Sequence, residues 1–508
     1  MKGAAASGHP LTTKAATDIL SIGGNAFDAA VAAGFASTVT EPTLTSLGGG
    51  GFLLAHEKKQ QRDILFDFFV NTPGLGTREP QPSEMIPVSI QFPACEQVFH
   101  VGHASFAVPG TLKGLLHVHR KLGRLSLAEV IAPALQYLDA GIETSALQGN
   151  FLGMLKPIFT LTPGCRDIYI CDGKYARAGD RLYNADLKKF FEGIVTGESD
   201  LYSGSTAERL IEEVEQHNGL LTMRDLQSYE VIEREPLRAS YRGREILTNP
   251  SPSFGGSLLE LCLKYLERLD IAPEDRDSEK LLTVLVELIR GTSSLKPDRQ
   301  SDLLGQIFSD KDIGFFLNNM DQIINGKSAV STQGTTHISV IDSEGNAASL
   351  TTSNGTGSGC LIPGTGIMIN NMMGEDDLHP GGFFSSTPGR RVSSMMMPAI
   401  VKLGGQVDAV LGSGGSKRIR SAMLQVIVNL IDFRLDLKEA VESPRIHFED
   451  GIVQAEPGKS IAVIEKIARN YKLNSWDGKN MYFGGVHCVS GKLDGWGDSR
   501  RGGTFAAI

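Results

Sequence analysis

The chain is poor in cysteine: 508 residues contain only six, and these are scattered. They form no C-x-x-C pair and show no spacing typical of zinc ligands. A chain of this length can build a core without cross-links, so we expect buried or incidental thiols in a reducing compartment. Neither a disulfide framework nor a metal site is therefore predicted. The six are Cys95, Cys165, Cys171, Cys262, Cys360 and Cys488.

Positive charge and long apolar runs are also scarce. Lys and Arg number 49 against 58 Asp and Glu, a formal net charge of −9, which argues against nucleic acid or an anionic membrane surface as a partner. No stretch reaches the roughly 18 apolar residues of a membrane span, and residues 1–10 lack the apolar core of a signal peptide. We therefore predict a cytoplasmic protein, with a periplasmic or secreted location as the alternative if a leader was removed.

Two motifs of other enzyme classes are missing. Gly48–Gly51 are four consecutive glycines before a strand, but the Gly-Lys-Ser/Thr ending of a phosphate loop does not follow them. A bare backbone at this place instead suits the close approach of another segment. No G-x-S-x-G elbow occurs, which argues against an α/β-hydrolase. What remains is a globular protein whose 41% hydrophobic residues can form an ample core.

The most informative stretch is a predicted β-hairpin that begins with two threonines. His337–Asp342 and Ala347–Thr352 are rich in β-formers, and the four residues between them suit a turn. The polar, aperiodic residues 325–333 predict an exposed connector before it. If the Gly334–Thr335 bond were cut, Thr335 would carry a hydroxyl nucleophile and a free α-amine as its own base. From the residues alone, an ordinary hairpin with no chemistry is the alternative.

Helices and strands alternate in mixed order along the rest of the chain. Thr12–Ser21 and Asn25–Ser37 are predicted helices separated by two glycines. Ile64–Val70 is a predicted strand, Gly366–Asn370 a second, and Arg418–Phe433 a long helix after a glycine turn. This order fits an α/β or α+β protein and demands neither one.

Several motifs resemble the gamma-glutamyltransferase (glutathione hydrolase) family. G-T-T-H-I-S-V-I-D-S-E-G-N-A (334–347) is similar to the segment at which these proteins cleave themselves, and G-G-N-A-F-D-A-A-V-A-A (23–33) and V-P-G-T-L-K-G (108–114) match in the same order. The resemblance covers most of the chain. It implies the α+β fold of the N-terminal nucleophile hydrolases, a four-layer αββα sandwich of two antiparallel sheets. It also implies a large-subunit portion, 1–334, and a small-subunit portion, 335–508, in one intertwined fold.

The resemblance also implies a catalytic set. Thr335, freed by cleavage after Gly334, is the expected nucleophile, and Ser353 takes the place of a threonine that orients it. The backbone N–H groups of Gly414 and Gly415 are expected to hold the oxyanion. Paired glycines before a helix suit that role because they present N–H groups, although a plain glycine turn is the alternative.

A second set is implied for substrate binding. Asn354 lies one residue away from the register of an asparagine that contacts substrate in the family. Glu375, with Asp376 close behind, takes the place of the acid that binds the substrate's α-amino group; a solvated acidic turn is the alternative. Ser393 and Ser394 fall at the family's serine pair for the substrate carboxylate.

Phe69 is the largest departure from the family pattern. The transferases carry an arginine here for the α-carboxylate, and an aromatic ring replaces that anion site by an apolar wall. Two enzyme hypotheses stay open: cleavage of a γ-glutamyl or related amide, and an amidohydrolase or acylase with a non-glutamyl substrate. A non-catalytic homologue is the alternative from another class. The enzyme hypotheses imply a small-molecule amide substrate, no metal or organic cofactor, and fragments of one precursor that associate, with a dimer of these as a further expectation.

Overall fold

Two antiparallel sheets organise the computed structural model, which describes residues 1–76, 84–91, 96–171, 173–293, 334–379, 381–459, 461–467, 469 and 471–508. Within these residues the strands are, in chain order, β1 (Gly3–Ser7), β2 (Gly50–Glu57), β3 (Arg62–Phe68), β4 (Ile86–Gln91), β5 (Glu96–Val101), β6 (Ile142–Glu143), β7 (Ile170–Cys171), β8 (Lys174–Tyr175), β9 (Arg181–Leu182), β10 (Ile232–Arg234), β11 (Leu237–Tyr241), β12 (Arg244–Thr248), β13 (Gly334–Asp342), β14 (Ala347–Gly355), β15 (Ala399–Leu403), β16 (Gln406–Gly414), β17 (Ile446–Glu449), β18 (Ile452–Ala455), β19 (Lys472–Ser475), β20 (Gly485–Ser490), β21 (Gly495–Trp496) and β22 (Thr504–Ala507).

The helices flank these sheets. Within the same residues they are α1 (Pro10–Ser21), α2 (Ala26–Thr40), α3 (Thr111–Leu122), α4 (Leu127–Ala140), α5 (Ala146–Phe159), α6 (Pro163–Tyr169), α7 (Ala185–Thr196), α8 (Gly204–Gln216), α9 (Met223–Ser228), α10 (Gly255–Leu266), α11 (Glu279–Ser293), α12 (Arg418–Ile431), α13 (Leu437–Glu442) and α14 (Ile461–Ile467). In the described part of the chain, no helix is both long and apolar enough to cross a lipid bilayer.

The strand order mixes early and late parts of the sequence. The larger sheet runs β10-β3-β2-β14-β13-β1-β22, and the smaller one runs β11-β12-β15-β16-β20-β21. In the larger sheet β13 pairs with β14 on one side and with β1 on the other, both antiparallel. The predicted hairpin is therefore the centre of this sheet, and β16 of the other sheet packs against it.

Alternation of side chains along the central strands divides the core into two layers. Phe52 and Leu54 of β2 point into one hydrophobic cluster, which they share with the smaller sheet and with α10 and α12. Leu53 and Ala55 point into the other cluster, which is filled by α1 to α4 and α7. A strand with apolar residues on both faces is expected when each face of its sheet is covered. The resulting order is helix, sheet, sheet, helix.

Most predicted elements lie where expected, and one prediction was wrong. The helix predicted for Thr12–Ser21 extends over Pro10–Ser21, and the hairpin strands extend to Gly334–Asp342 and Ala347–Gly355. Gly366–Asn370, however, is not a strand: in this segment Met368 and Ile369 form only isolated bridges, to Leu361 and Gly48. Gly366 has a φ of +64°, which interrupts extended backbone. The predicted connector, 325–333, and Cys95 lie outside the described residues.

Candidate active site

A relay of two hydroxyl groups links the side chain of Thr335 to the carbonyl group before it. Thr335 lies opposite Ser353 in the β13–β14 ladder. Its Oγ1 donates to Ser353 Oγ at 3.3 Å, and Ser353 Oγ donates to the Gly334 carbonyl oxygen at 2.5 Å. The hydroxyl of Ser353 thus contacts both the hydroxyl of Thr335 and the carbonyl of the Gly334–Thr335 bond.

A local irregularity of the ladder creates this contact. The register shifts between Gly334 and Thr335, so that Gly334 pairs with Gly355 and Asn354 is the extra residue. Gly355 has a φ of +64°, and its N–H donates to Ser353 Oγ at 3.2 Å. Such a bulge turns side chains away from the regular alternation. It brings the Ser353 hydroxyl onto the Gly334 carbonyl.

The four glycines Gly48–Gly51 allow neighbouring backbone, including that of β14, to approach closely, as the sequence predicts. A Cβ atom on Gly49 would lie 2.2 Å from the Ser353 carbonyl oxygen, and one on Gly51 would lie 2.5 Å from that of Thr351. Contacts this short exclude any side chain. The glycines therefore let β2 and its preceding turn pack directly against the strand that carries Ser353.

Gly414, at the end of β16, packs against the backbone of Thr335. A Cβ atom there would lie 2.2 Å from the Thr335 carbonyl oxygen, so only glycine fits. Gly415 follows with a φ of +127°, and its carbonyl accepts the N–H of Arg418, the first residue of α12. The structure thus brings Gly414 of the predicted oxyanion site against Thr335, and Gly415 follows it in the turn before a helix.

Two buried charged side chains that the sequence analysis did not select lie beside Thr335. Arg501 Nη1 donates to the Thr335 carbonyl oxygen at 3.4 Å. On the next residue, Thr336 Oγ1 donates to Glu41 Oε1 at 2.9 Å. Burial raises the pKa of Glu41 to about 7, although hydrogen bonds from Thr336 and Thr12 and the charge of Arg501 oppose it. Burial likewise lowers the pKa of Arg501 to about 10.

The amino-acid sequence alone gives little indication that Glu41 and Arg501 belong to the site. Glu41 follows the apolar helix α2 directly, and Arg501 stands in a short loop near Asp498 that looks merely structural. A single charged residue at such a position is more often exposed than buried. Glu41 and Arg501 come to lie beside β13 only when the chain is folded.

A narrow, solvent-connected pocket is lined by Thr335 and Ser353. Its wall is largely apolar, and Phe69 forms part of it, stacked on Phe52 at a centroid distance of 5.5 Å. Phe69 is 1% exposed, so its ring is a fixed wall and not a mobile surface side chain. The apolar lining residues are Phe69, Met372, Leu378, Met395, Met396 and Ile419.

The polar edge of the pocket is formed by Asp377, Ser394 and Ser416. Asp377 Oδ2 accepts a hydrogen bond from Ser416 Oγ at 3.0 Å, and Lys417 Nζ lies 2.9 Å from Asp377 Oδ1. The carboxylate is thus already paired with a cation from the turn before α12. The same lysine lies 3.7 Å from Glu449 Oε1, so it is shared between two carboxylates.

Of the remaining residues predicted to bind substrate, only one lines this pocket. Ser394 lines it, whereas the hydroxyl of Ser393 donates to the Leu378 carbonyl at 3.4 Å. Glu375 is buried and accepts from the Thr356 N–H at 3.2 Å, and Asp376 is exposed; neither lines the pocket. Asn354 is buried, and its Oδ1 has no hydrogen-bond partner among the described residues.

Within the described part of the chain, the one group of side chains with suitable spacing for a metal ion is His103, Glu213 and His217. None of these lines the pocket at Thr335.

Comparisons with known proteins agree with this architecture. The family model described as Gamma-glutamyltranspeptidase matches residues 12–508. Over its whole length the chain is 33% identical to the Acylase ACY 1 proenzyme of Pseudomonas sp. (strain SE83), 94% of which is covered. It is 29% identical to the Glutathione hydrolase proenzyme of Bacillus subtilis (strain 168), 91% of which is covered.

A solved structure shows the same fold. The cephalosporin acylase from Bacillus halodurans superposes with a TM-score of 0.84 at 23% identity, and the match covers 100% of this chain and 96% of that one. The predicted resemblance and the predicted four-layer fold are both confirmed.

Proposed function

Because the chain belongs to the gamma-glutamyltranspeptidase family, we propose that it is a self-processing amide hydrolase with Thr335 as its nucleophile. The observation that carries this proposal is the hydroxyl relay from Thr335 Oγ1 through Ser353 Oγ to the Gly334 carbonyl oxygen. Cleavage there divides the chain into the fragments 1–334 and 335–508.

The proposed self-cleavage begins with attack of Thr335 Oγ1 on the carbonyl carbon of Gly334. A C–O bond forms, the C–N bond to Thr335 breaks, and the hydroxyl proton ends on the Thr335 nitrogen. Water then hydrolyses the ester, which leaves a carboxylate on Gly334 and a free α-amine on Thr335. The Ser353 hydroxyl supports the first step because it donates to the oxygen on which negative charge develops.

In the cleaved enzyme the α-amine acts as the base for the adjacent hydroxyl. It takes the proton of Thr335 Oγ1 as this oxygen attacks a substrate amide carbon, and the amine product leaves the resulting acyl-enzyme. Water, or a second amine, then accepts the acyl group. The N–H groups of Gly414 and Gly415 hold the oxyanion, a role supported by the close packing of Gly414 on Thr335.

For the acyl donor, we favour a neutral acyl amide over a γ-glutamyl compound. Phe69 and the five other apolar side chains around the pocket provide contact area and no anion site. The similarity to an acylase proenzyme supports the same choice. Ser394 lines the pocket and is the polar group that we propose orients the substrate, whereas Asn354 does not line it.

A γ-glutamyl donor is the second candidate, and Asp377 is the observation in its favour. This carboxylate lies at the pocket edge beside Ser394, where it can bind an α-amino group. Its ion pair with Lys417 argues against that use, since an incoming ammonium group must compete with a lysine 2.9 Å away. Glu375 and Asp376 are the weaker candidates for the same role, because neither lines the pocket.

Self-cleavage and amide hydrolysis are measured together to test whether Thr335 is the nucleophile. The purified full chain is incubated, run on a denaturing gel, and the smaller fragment is sequenced from its amino end. We expect two fragments, the smaller beginning at Thr335, while Thr335→Ala stays whole and hydrolyses no amide. Thr248→Ala, which removes a buried hydroxyl from the smaller sheet, is the matched control and cleaves normally. An uncut wild-type chain, or an active Thr335→Ala variant, refutes the proposal.

Rates on paired anilides test the substrate class. We expect faster hydrolysis of neutral acyl p-nitroanilides than of γ-glutamyl p-nitroanilide, and Asp377→Asn leaves the preferred reaction within about threefold. A preference for the γ-glutamyl anilide that Asp377→Asn abolishes establishes the second candidate instead.

A further inference from the structure

Arg501 is a cation buried directly behind Thr335 and the two glycines that follow β16. It lies in the 3-10 turn Ser499–Arg501 and is 3% exposed. Its Nη1 donates to the Thr335 carbonyl oxygen at 3.4 Å. A Cβ atom on Gly414 would lie 3.2 Å from this Nη1, and one on Gly415 would lie 3.5 Å from Nη2. The guanidinium group therefore contacts the backbone of Thr335 and lies beside both glycines.

This guanidinium group has no close counter-ion in the described part of the chain. Asp498, in the same turn, is already paired with Arg445 and Arg500, at 2.6 and 3.2 Å. The hydrogen bonds of Arg501 are also long: Nη2 donates to the Met481 carbonyl at 3.4 Å, and Nε has no partner among the described residues. A buried arginine that serves stability alone is normally paired with a carboxylate or fully hydrogen-bonded. Arg501 is neither, so stability does not explain its position.

The carboxyl group of Glu41, which also lies behind Thr335, does not cancel this charge below neutral pH. Glu41 accepts hydrogen bonds from Thr336 and Thr12, and burial raises its pKa to about 7. Below pH 7 it is therefore mostly protonated and uncharged. Arg501 stays charged there, because burial lowers its pKa only to about 10. The net charge of the two groups behind Thr335 is thus positive.

The other ionisable groups around Arg501 do not oppose its charge. Burial lowers the pKa of His487 to about 4, so this histidine is neutral at pH 7. Two further arginines, Arg418 and Arg445, add to the positive potential.

The ionisable groups on the pocket side of Thr335 have partners of their own. Asp377 is paired with Lys417 at 2.9 Å, and the carboxylate of Glu375 accepts the Thr356 N–H at 3.2 Å. Within the described residues, Arg501 is the charged side chain that hydrogen-bonds to Thr335 itself.

Cleavage before Thr335 would free an amine close to this cation. The nitrogen and the carbonyl oxygen of one residue are at most about 3.7 Å apart, which places the nitrogen within about 7 Å of Arg501 Nη1. A free α-amine has an ordinary pKa of about 7.7–8.0, so most of it is protonated at pH 7 and cannot take up the hydroxyl proton. A cation at this distance disfavours the protonated amine.

Building on the proposed function, in which the α-amine of Thr335 is the base, we propose that the positive charge of Arg501 keeps this amine in its neutral, proton-accepting form. Arg501 contacts the Thr335 carbonyl and none of the reacting atoms, so it is a positioning residue. Coulomb's law over about 7 Å, with the effective dielectric constant usual for protein sites, corresponds to a shift of about one to two pH units in the titration of the amine.

The pH dependence of hydrolysis tests this role. kcat/KM of the cleaved full chain is measured from pH 5 to 9 on the p-nitroanilide that it hydrolyses fastest, because the acid limb reports the base of the free enzyme. We expect Arg501→Gln to move the midpoint of this limb up by about one pH unit, and Arg501→Lys, which keeps the charge, to move it by less than about 0.3 unit.

Arg420→Gln is the matched control for the loss of a buried arginine. Arg420 is 1% exposed and donates to the Thr292 carbonyl at 3.0 Å, away from Thr335. Its replacement should leave the midpoint of the acid limb unchanged.

Direct titration of the amine keeps the inference testable if Arg501→Gln fails to fold or to cleave. Cleaved wild-type protein is acetylated with a trace of acetic anhydride at each pH, and both amino-terminal peptides are quantified by mass spectrometry. Met1 is 77% exposed, so its amine is the internal reference. We expect the Thr335 amine to titrate about one pH unit below that of Met1.

The outcomes separate this inference from the proposed function. A cleaved, active enzyme whose acid limb has the same midpoint in Arg501→Gln and in the wild type overturns the inference alone. A Thr335 amine that titrates together with the amine of Met1 does the same. An uncut wild-type chain, or an active Thr335→Ala variant, instead refutes the proposed function and this inference with it.

Discussion

The Ser353 hydroxyl bridges the Thr335 hydroxyl and the carbonyl oxygen of Gly334. It accepts from Thr335 Oγ1 and donates to the Gly334 carbonyl oxygen, and it also accepts from the Gly355 N–H. Its position is thus set from three sides. A hydroxyl fixed in this way polarises the carbonyl without any rearrangement in the transition state.

Removal of this hydroxyl should slow scission without unfolding the chain. We expect Ser353→Ala to reduce the rate of self-cleavage about 100-fold, the magnitude found when one such donor is lost, as measured by fragment appearance on denaturing gels. Ser349→Ala is the control: it is buried on the same strand, but its hydroxyl donates to the Leu411 carbonyl at 3.1 Å. If both variants cleave equally fast, Ser353 has no role in the step.

Glu41 should make stability depend on pH in a defined range. Burial raises its pKa from 4.5 to about 7 in the folded protein, so the folded state holds a proton that the unfolded state releases above pH 4.5. The stabilisation is greatest below pH 4.5 and is lost as the pH rises to about 7. Between pH 5 and 8, we expect the wild type to lose roughly 2–3 kcal/mol relative to Glu41→Gln.

Denaturant unfolding of both proteins at several pH values provides the measurement. Uncleaved Thr335→Ala serves as the background for both, so that scission does not differ between them. A stability difference that stays constant across this range would show that Glu41 does not titrate there.

Sequence reasoning reached the reacting residues but missed their charged neighbours. Thr335, Ser353, Gly414 and Gly415 occupy short motifs, and the structure brings the first three into contact. Arg501 was missed because it reaches Thr335 from a loop 166 residues away in sequence. Packing between distant segments, which no local pattern encodes, places such a side chain.

At the scale of elements, α2 is the buried helix on which the larger sheet rests. Every residue of Ala26–Thr40 is buried, so the backbone groups at its start cannot rely on water. Asn25 Oδ1 accepts from the N–H groups of Phe27 and Asp28, both at 2.9 Å, and its Nδ2 donates to the Leu122 carbonyl at 2.7 Å.

Loss of this cap should be costly. We expect Asn25→Ala to lower the free energy of unfolding by about 2–3 kcal/mol, because it removes the cap and leaves the Leu122 carbonyl unpaired. Ser145→Ala, which removes a cap with a single bond to the Gln148 N–H on the less buried helix α5, should cost about 1 kcal/mol. Equal costs in urea denaturation would contradict this account.

Helices and strands with clear hydrophobic periodicity or a helix-capping residue could be predicted from the sequence, and other segments could not. Asn25 is recognisable in the sequence as the N-cap residue of α2. The alternation of β-formers likewise predicts β13 and β14. Gly366–Asn370 has similar apolar residues but forms a loop, because Gly366 takes a positive φ and its neighbours bridge single residues of separate segments. Local composition does not distinguish these cases.

At the scale of the whole molecule, the two proposed fragments alternate within one sheet. β1 of the first fragment lies between β13 and β22 of the second, and β2 of the first pairs with β14 of the second. The cut of one peptide bond breaks none of these ladders. We therefore expect the two pieces to unfold as one cooperative unit and not as independent domains.

Cleaved protein should consequently behave as one particle. We expect both fragments to elute together from a size-exclusion column at the position of uncleaved Thr335→Ala, and to separate only under denaturing conditions. Separate peaks at about two thirds and one third of that apparent mass, the sizes of the fragments 1–334 and 335–508, would contradict the interleaved arrangement. Exchange of labelled fragments between molecules under native conditions would contradict it as well.

The pairing of β1 with β22 brings Gly3 and Ile508 together, with the Ile508 N–H donating to the Gly3 carbonyl at 2.9 Å. A linker of a few residues can thus join these positions, and the polypeptide can be opened instead before Thr335. Translation of such a circular permutant places Thr335 directly after the initiator methionine, and hydrolysis of that Met–Thr bond by an aminopeptidase frees the threonine amine with no intramolecular acyl shift. Such a permutant would carry a free Thr335 amine without self-cleavage, so amide hydrolysis could be measured independently of self-cleavage.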